Sequence, residues 1–169
     1  MAKSGEATAW ITQQPFFSEL TTEEQNEAGS FSFIWGVYEL RVMQVLGKEQ
    51  TVSLTRSVIQ EYTASVHIPS HNLSSEKKYF RDRFFDAHGN PNSTWQGAQF
   101  RNGDKAEEIK AILLRDDSSP AQDAEALIRI VARLRNNFFH GFKWAYNLKG
   151  QKENFANASS VLIKTMPNV

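Results

Sequence analysis

The chain has 169 residues, 40% of them hydrophobic and none of them cysteine, which suits one domain with a buried core and excludes a disulfide framework or a thiolate metal site. Lysine plus arginine number 19 and aspartate plus glutamate number 19, and this zero net charge argues against wholesale non-specific binding to nucleic acid. No run approaches the roughly 20 apolar residues of a membrane span, and the N-terminal MAKSGEATAW lacks the apolar block of a signal peptide, so we expect a cytoplasmic protein with no membrane partner.

The N-terminal arm, residues 1–20, is mixed in character and contains Pro15, so we expect it to be irregular. Its aromatic side chains are expected to pack back onto the body of the protein: Trp10, Phe16 and Phe17. Residues 21–169 are expected to form a single helical domain.

The domain opens with a clear helix start, because Thr21 and Thr22 are followed by acidic and amide residues at capping-box spacing. Apolar residues then recur at three- and four-residue steps on one helix face: Phe31, Ile34, Trp35, Tyr38, Val42, Val45 and Leu46. Gly47 is the expected end of this helix.

The rest of the chain also has the apolar spacing of helices. Helices are predicted over residues 52–66, 73–88, 104–115, 120–144 and 155–166. Residues 92–103 are expected to be a loop anchored by Trp95 and Phe100. Ser118, Ser119 and Pro120 supply a cap and a first-turn proline for the longest of these later helices. The sequence therefore predicts an all-α fold, an up-and-down bundle of about five to six helices.

Positive charge is concentrated late in the chain. Residues 121–169 hold 7 lysines and arginines against 3 acidic residues, whereas residues 1–120 hold 12 against 16. This distribution fits a basic binding face and equally an ordinary solvated helix surface. The segment RLRNNFFHGFKW, residues 133–144, combines these charges with Asn136 and Asn137 in mid-helix, where asparagine is unfavourable. Such a break in local rules is typical of a functional or strained position.

The residue types in this segment suit cleavage of RNA by the ribose 2′-hydroxyl. That reaction needs a group that transfers a proton near neutral pH, which suits His140. It also needs a cation for the charge on the phosphate, which suits the guanidinium of Arg135. Asn136 can orient the histidine or donate to a phosphate oxygen, and no metal is required.

The run from Arg135 to Gly141, RNNFFHG, resembles the motif of HEPN domains (higher eukaryotes and prokaryotes nucleotide-binding): an arginine, a polar residue directly after it, and a histidine separated from the arginine by four to six residues. The resemblance implies a bundle of four or five core helices with the motif on a late helix. It also implies a dimer in which both motifs form one composite site, and a metal-independent endoribonuclease of toxin–antitoxin, abortive-infection or antiviral systems.

The resemblance and the chemistry together assign the candidate residues. Arg135, Asn136 and His140 are the expected catalytic residues. Glu39 and Asn137 are expected to support them, and Arg133 and Lys143 to contact RNA. No metal or other cofactor is expected. The expected partners are RNA, a second copy of the chain, and an antitoxin or other regulatory protein.

Several alternatives stay open. The pairs Arg83–His88 and Arg133–His140 also fit the bare spacing, but Phe84 rather than a polar residue follows Arg83. Residues five apart on a helix lie roughly 140° apart, so Arg135 and His140 meet only if the helix is distorted near Gly141 or if a partner copy completes the site.

The supporting roles have alternatives too. Glu39 is expected either to hold Arg135 or His140 or to be a surface charge. His67 and His71 have metal-ligand spacing, but Pro69 between them argues against a metal site. Phe142 stands where related toxins carry a modified tyrosine, which argues against silencing by nucleotide transfer at that position.

Three hypotheses on function follow. The first is a metal-independent endoribonuclease. The second is a non-catalytic HEPN-like module that binds RNA, nucleotide or a protein partner. The third is a helical scaffold in which the motif is a coincidence.

Overall fold

The computed structural model describes residues 5–48, 53–69, 72–139 and 148–166. These ranges form α-helices, one 3-10 helix and an isolated bridge between Phe85 and Pro91, with no strand among them, so the all-α prediction is confirmed. The helices are α1 (Glu6–Thr12), α2 (Pro15–Ser18), α3 (Thr22–Val45), α4 (Arg56–Ser65), α5 (Ser74–Phe84), α6 (Ser93–Gly97), the 3-10 helix (Asn102–Asp104), α7 (Ala106–Leu114), α8 (Pro120–Phe139) and α9 (Lys152–Thr165). Six of the described α-helices have nine or more residues, in line with the predicted five to six.

Local chemistry sets the ends of the long helices. At the start of α3, the Glu24 amide donates to the Thr21 hydroxyl oxygen at 3.2 Å, and the Thr21 amide donates to the Glu24 carboxylate at 2.8 Å. Ser119 and Gln122 form the same reciprocal pair at the start of α8, at 2.9 and 3.3 Å. These are the capping boxes that satisfy otherwise unpaired amides of a first turn. Gly47, with φ +61°, ends α3 in the left-handed conformation, as the sequence predicts.

Helix α8 lies in the middle of the bundle. It packs against α4, α7 and α9, while α3 packs along α9. Three aromatic rings join α3, α8 and α9: the Phe31 centroid lies 6.4 Å from that of Phe138 and 5.3 Å from that of Phe155. This cluster fixes the C-terminal end of α8, where the motif residues lie, against its two neighbours.

Helix α3 has apolar residues on two opposite faces. Phe31, Trp35 and Tyr38 are buried in the core, whereas Phe33 is 82% exposed. Val37 and Leu40 continue the exposed row at the next turns, at 48% and 54% exposure. We refer to Phe33, Val37 and Leu40 as the outer stripe.

The N-terminal arm was predicted to be irregular, and this is wrong for residues 6–12 and 15–18, which form α1 and α2. Phe17 packs against the core as predicted. Trp10 does not, since it is 64% exposed. The proline that suggested irregularity instead occupies the first position of α2, where its missing amide removes no helix hydrogen bond.

The region around residues 85–97 also differs from the prediction. Helix α5 ends at Phe84, four residues early, because the Asn92 side chain and backbone donate to the carbonyl oxygens of Arg83 and Phe84, both at 2.9 Å. The Asp86 carboxylate accepts the amides of His88 and Asn90, which builds a turn in place of a further helical turn. Asn92 also caps α6, a short helix within the segment predicted to be loop.

Candidate functional site

The motif residues Arg135 and Asn136 lie near the C-terminal end of α8 and line a cleft of about 510 Å³. Its other walls are α3, the start of α4 and the 3-10 helix. The described lining residues include five arginines and two carboxylates, and Glu108 and Glu125 beside the cleft pair with Arg56 and Arg129. We refer to it as the arginine cleft, and its charged residues are Glu39, Arg56, Arg101, Asp104, Arg129, Arg133 and Arg135.

Arg135 is held by rings and an amide, not by a carboxylate. Its guanidinium carbon lies 5.6 Å from the ring centroid of Trp35 and 5.0 Å from that of Phe139. Its Nη1 donates to the Asn136 side-chain oxygen at 3.2 Å, and its buried Nε has no hydrogen-bond partner among the described residues. No described residue forms an ion pair with it. The aromatic faces therefore orient a cation whose charge is not neutralised within the described part of the chain.

The two buried arginines of the cleft, Arg129 and Arg133, are paired with carboxylates. Arg129 Nη1 lies 3.1 Å from the Glu125 carboxylate and 3.3 Å from that of Glu108, and its Nη2 donates to the carbonyl oxygens of Asp104 and Lys105. Arg133 is only 6% exposed and pairs with Asp104 at 2.9 Å. The structure thus places Arg133 in the cleft wall, and the RNA contact predicted for it would require this ion pair to open.

Glu39 lines the same cleft and is half-buried. No described residue donates a hydrogen bond to its carboxylate or forms an ion pair with it. The structure therefore brings Glu39 and Arg135 to one cleft without a salt bridge between them.

Asn137 has a different environment from Asn136. Its side-chain nitrogen donates to the Ala98 carbonyl oxygen at 2.9 Å, and it lines a second cavity on the other side of α8. The two consecutive asparagines therefore line two separate cavities.

Other predicted site residues fall outside the described ranges. These are His140 and Lys143 of the motif, together with Gly141, Phe142 and His71. Within the described ranges, no three His, Cys, Asp or Glu side chains are grouped to hold a metal ion. No helix there is both long and apolar enough to span a membrane.

The two residues of the alternative pair, Arg83 and His88, lie in different environments. Arg83 Nη2 donates to the Gln151 side-chain oxygen at 3.0 Å. His88 is exposed in the turn that Asp86 builds. Neither residue lines the arginine cleft.

Two further arginines that were not predicted as site residues line the cleft: Arg56 from α4, and Arg101 directly before the 3-10 helix. Arg56 pairs with Glu108 at 3.0 Å, and Arg101 is exposed. No local pattern marks either residue, because the fold alone brings residues 56 and 101 beside residue 135.

Comparisons with protein-family models, curated proteins and solved structures return no match for this chain. The resemblance to HEPN domains therefore stays a prediction that rests on the motif residues.

Proposed function

We propose that the chain is a HEPN-type, metal-independent endoribonuclease, with Arg135, Asn136 and His140 as its catalytic residues. The observation that supports this most is the state of Arg135, a ring-stacked cation in an arginine-rich cleft that meets no described carboxylate. A guanidinium in this state keeps N–H groups for a phosphate, which it binds with two parallel hydrogen bonds. A role as a toxin or anti-phage defence effector, with an antitoxin or other regulatory protein as partner, is proposed from the resemblance alone.

In the proposed reaction, the ribose 2′-oxygen attacks the adjacent phosphorus and the bond from phosphorus to the 5′-oxygen breaks. The products are a 2′,3′-cyclic phosphate and a 5′-hydroxyl end. One proton leaves the 2′-hydroxyl and one is delivered to the 5′-oxygen, which suits the imidazole of His140. Arg135 stabilises the charge on the non-bridging phosphate oxygens, and Asn136 holds its guanidinium through the 3.2 Å hydrogen bond.

The proposed active form is a homodimer in which both motifs contribute to one composite site. Phe139, 49% exposed and stacked against Arg135, is the apolar side chain that such an interface would cover next to the motif. Mixing Arg135→Ala and His140→Ala proteins tests this directly. In a composite site, a mixed dimer retains one arginine and one histidine, so mixing should restore part of the activity. A mixture that stays inactive although the subunits exchange would contradict the composite site.

The test of the reaction is cleavage of RNA by the purified protein in excess EDTA. We expect cyclic phosphate ends, with the rate lowered about 10²- to 10³-fold by Arg135→Ala and about 10²- to 10⁴-fold by His140→Ala. Arg115→Ala is the matched control, because Arg115 is exposed, pairs with Asp117 and lies outside the cleft. The control should retain full activity.

Two results would count against the nuclease. Equal activity in wild type and His140→Ala would contradict the proposed proton transfer. A folded wild type that binds RNA through Arg135 but cleaves none would favour the non-catalytic HEPN-like binding module instead.

A further inference from the structure

A second cavity, of about 260 Å³, lies between the end of α5, α6, the last turns of α8 and the start of α9. Aromatic rings form much of its wall: Phe84, Phe100, Phe138 and Phe155. We refer to it as the aromatic cavity. Sites for drug-sized ligands occupy roughly 300 to 1,000 Å³, so this one suits a smaller ligand with flat apolar faces.

The polar groups of the aromatic cavity form an ordered network. Arg83 Nη2 and the Asn154 side-chain nitrogen both donate to the Gln151 side-chain oxygen, at 3.0 and 3.1 Å. Because arginine only donates hydrogen bonds, it sets the orientation of the Gln151 amide and, through it, that of Asn154. Among the described residues, the Asn154 oxygen is then left as an acceptor, and the residue is only 6% exposed.

Asn137 supplies a second acceptor. The Asn137 side-chain nitrogen donates to the Ala98 carbonyl oxygen at 2.9 Å, so the side-chain oxygen can accept a separate hydrogen bond. No described residue donates to the side-chain oxygen of Asn137 or of Asn154. The cavity therefore combines flat apolar walls with two amide oxygens that accept from N–H donors, beside the guanidinium donors of Arg83 and Arg133.

The aromatic cavity and the arginine cleft share a wall. Arg133 lines both, and the neighbouring residues Asn136 and Asn137 line one each. Likewise, Arg101 lines the arginine cleft and its neighbour Phe100 lines the aromatic cavity. The aromatic cavity and the cleft that contains Arg135 therefore lie on different sides of α8, with Arg133 between them.

We infer that the aromatic cavity binds one nucleobase that carries an exocyclic amino group, either in the RNA strand of the cleft or in a free ribonucleotide. Unstacked bases are recognised by stacking on aromatic side chains and by hydrogen bonds to their edges. Two acceptors favour guanine, which offers two neighbouring N–H groups on one edge, and then adenine and cytosine. Uracil has a single ring N–H and an adjacent pair of acceptors, so it fits least. The choice of an RNA base rests on the proposed function.

The test is equilibrium binding of GMP, AMP, CMP and UMP to the full chain by titration calorimetry. We expect UMP to bind at least tenfold more weakly than GMP, and Asn154→Leu and Asn137→Leu each to weaken GMP binding at least tenfold. Asn157→Leu is the matched control, because Asn157 lies on α9 outside the cavity and its side chain donates to the backbone carbonyl oxygen of Glu153. Circular dichroism checks that each variant is folded, and if Asn154→Leu does not fold, the Asn137→Leu result decides.

Three results would overturn the inference: equal affinities for all four nucleotides, no binding of any of them, or unchanged GMP binding in a folded Asn137→Leu variant.

Cleavage assays distinguish a base of the bound RNA strand from a free nucleotide. They also distinguish failure of the proposed base site from failure of the proposed nuclease. A change in base preference beside the cleaved bond in Asn137→Leu identifies the RNA strand, and unchanged preference with weakened GMP binding identifies a free nucleotide. GMP binding without any RNA cleavage would retain the base site and reject the nuclease. Cleavage without nucleotide binding or base preference would reject the base site and retain the nuclease.

Discussion

Replacement of Arg129 by leucine should be among the most destabilising changes outside the apolar core. The Arg129 side chain is 3% exposed and holds Glu125, Glu108 and the backbone carbonyls of Asp104 and Lys105. Removing one partner of a buried ion pair costs about 3–5 kcal/mol, because the other charge stays buried without compensation. Glu108 is 46% exposed and can regain water, so we expect the lower end of that range, about 3 kcal/mol.

For a chain of this size, that loss corresponds to a fall in Tm of about 6–12 °C. Urea unfolding at pH 7, followed by far-ultraviolet circular dichroism, measures the free energy of unfolding and its denaturant slope. Arg115→Leu is the control and should change stability by less than about 0.5 kcal/mol, since that arginine is exposed. A loss below about 1 kcal/mol in Arg129→Leu, with an unchanged slope, would refute the view that a desolvated arginine holds the 3-10 helix to α8.

Three further predictions concern stability. Burial raises the pKa of Glu76, but hydrogen bonds from Lys164, Ser160 and Ser75 outweigh it and hold the pKa below its ordinary value of 4.5. The ionised Glu76 therefore contributes its full stabilisation above that value, and the contribution is lost as the pH falls through the folded-state pKa. The free energy of unfolding of Glu76→Gln should accordingly fall less on acidification than that of the wild type. Thr21→Ala should lower the free energy of unfolding by about 1 kcal/mol through loss of the capping box, measured by urea unfolding; no change would mean that water replaces the cap. Phe31→Ala, at a fully buried position, should lower it by about 3–5 kcal/mol in the same assay, and a loss under 1 kcal/mol would contradict its central place in the core.

The parts of the fold that follow from local chemistry could be predicted from the sequence. The cap at Thr21, the stop at Gly47 and the start of α8 each depend on residues within a few positions of one another. The buried face of α3 follows from its apolar period. Asn92 was missed as an organising residue, because it acts at the same time on the end of α5 and the start of α6.

The candidate site was predictable only in part. The unusual composition of residues 133–144 marked Arg135 and Asn136, which do line a common cleft. The burial of Arg133 was not predictable, because its partner Asp104 lies on a distant turn that only tertiary packing brings close. The same holds for Arg101, whose place at the cleft depends on how the 3-10 helix docks onto α8. Predictions that involve His140 concern a residue outside the described ranges.

The outer stripe of α3 has a practical consequence for handling the protein. Phe33, Val37 and Leu40 expose apolar surface to water, yet they fill no space in the core. Polar replacements there remove that surface without opening a cavity, so they should raise solubility while leaving the unfolding midpoint almost unchanged. Sulfate and similar salts strengthen apolar association, so the unmodified chain should precipitate at a lower ammonium sulfate concentration than such a variant. The stripe is therefore the place to engineer the molecule for concentrated samples.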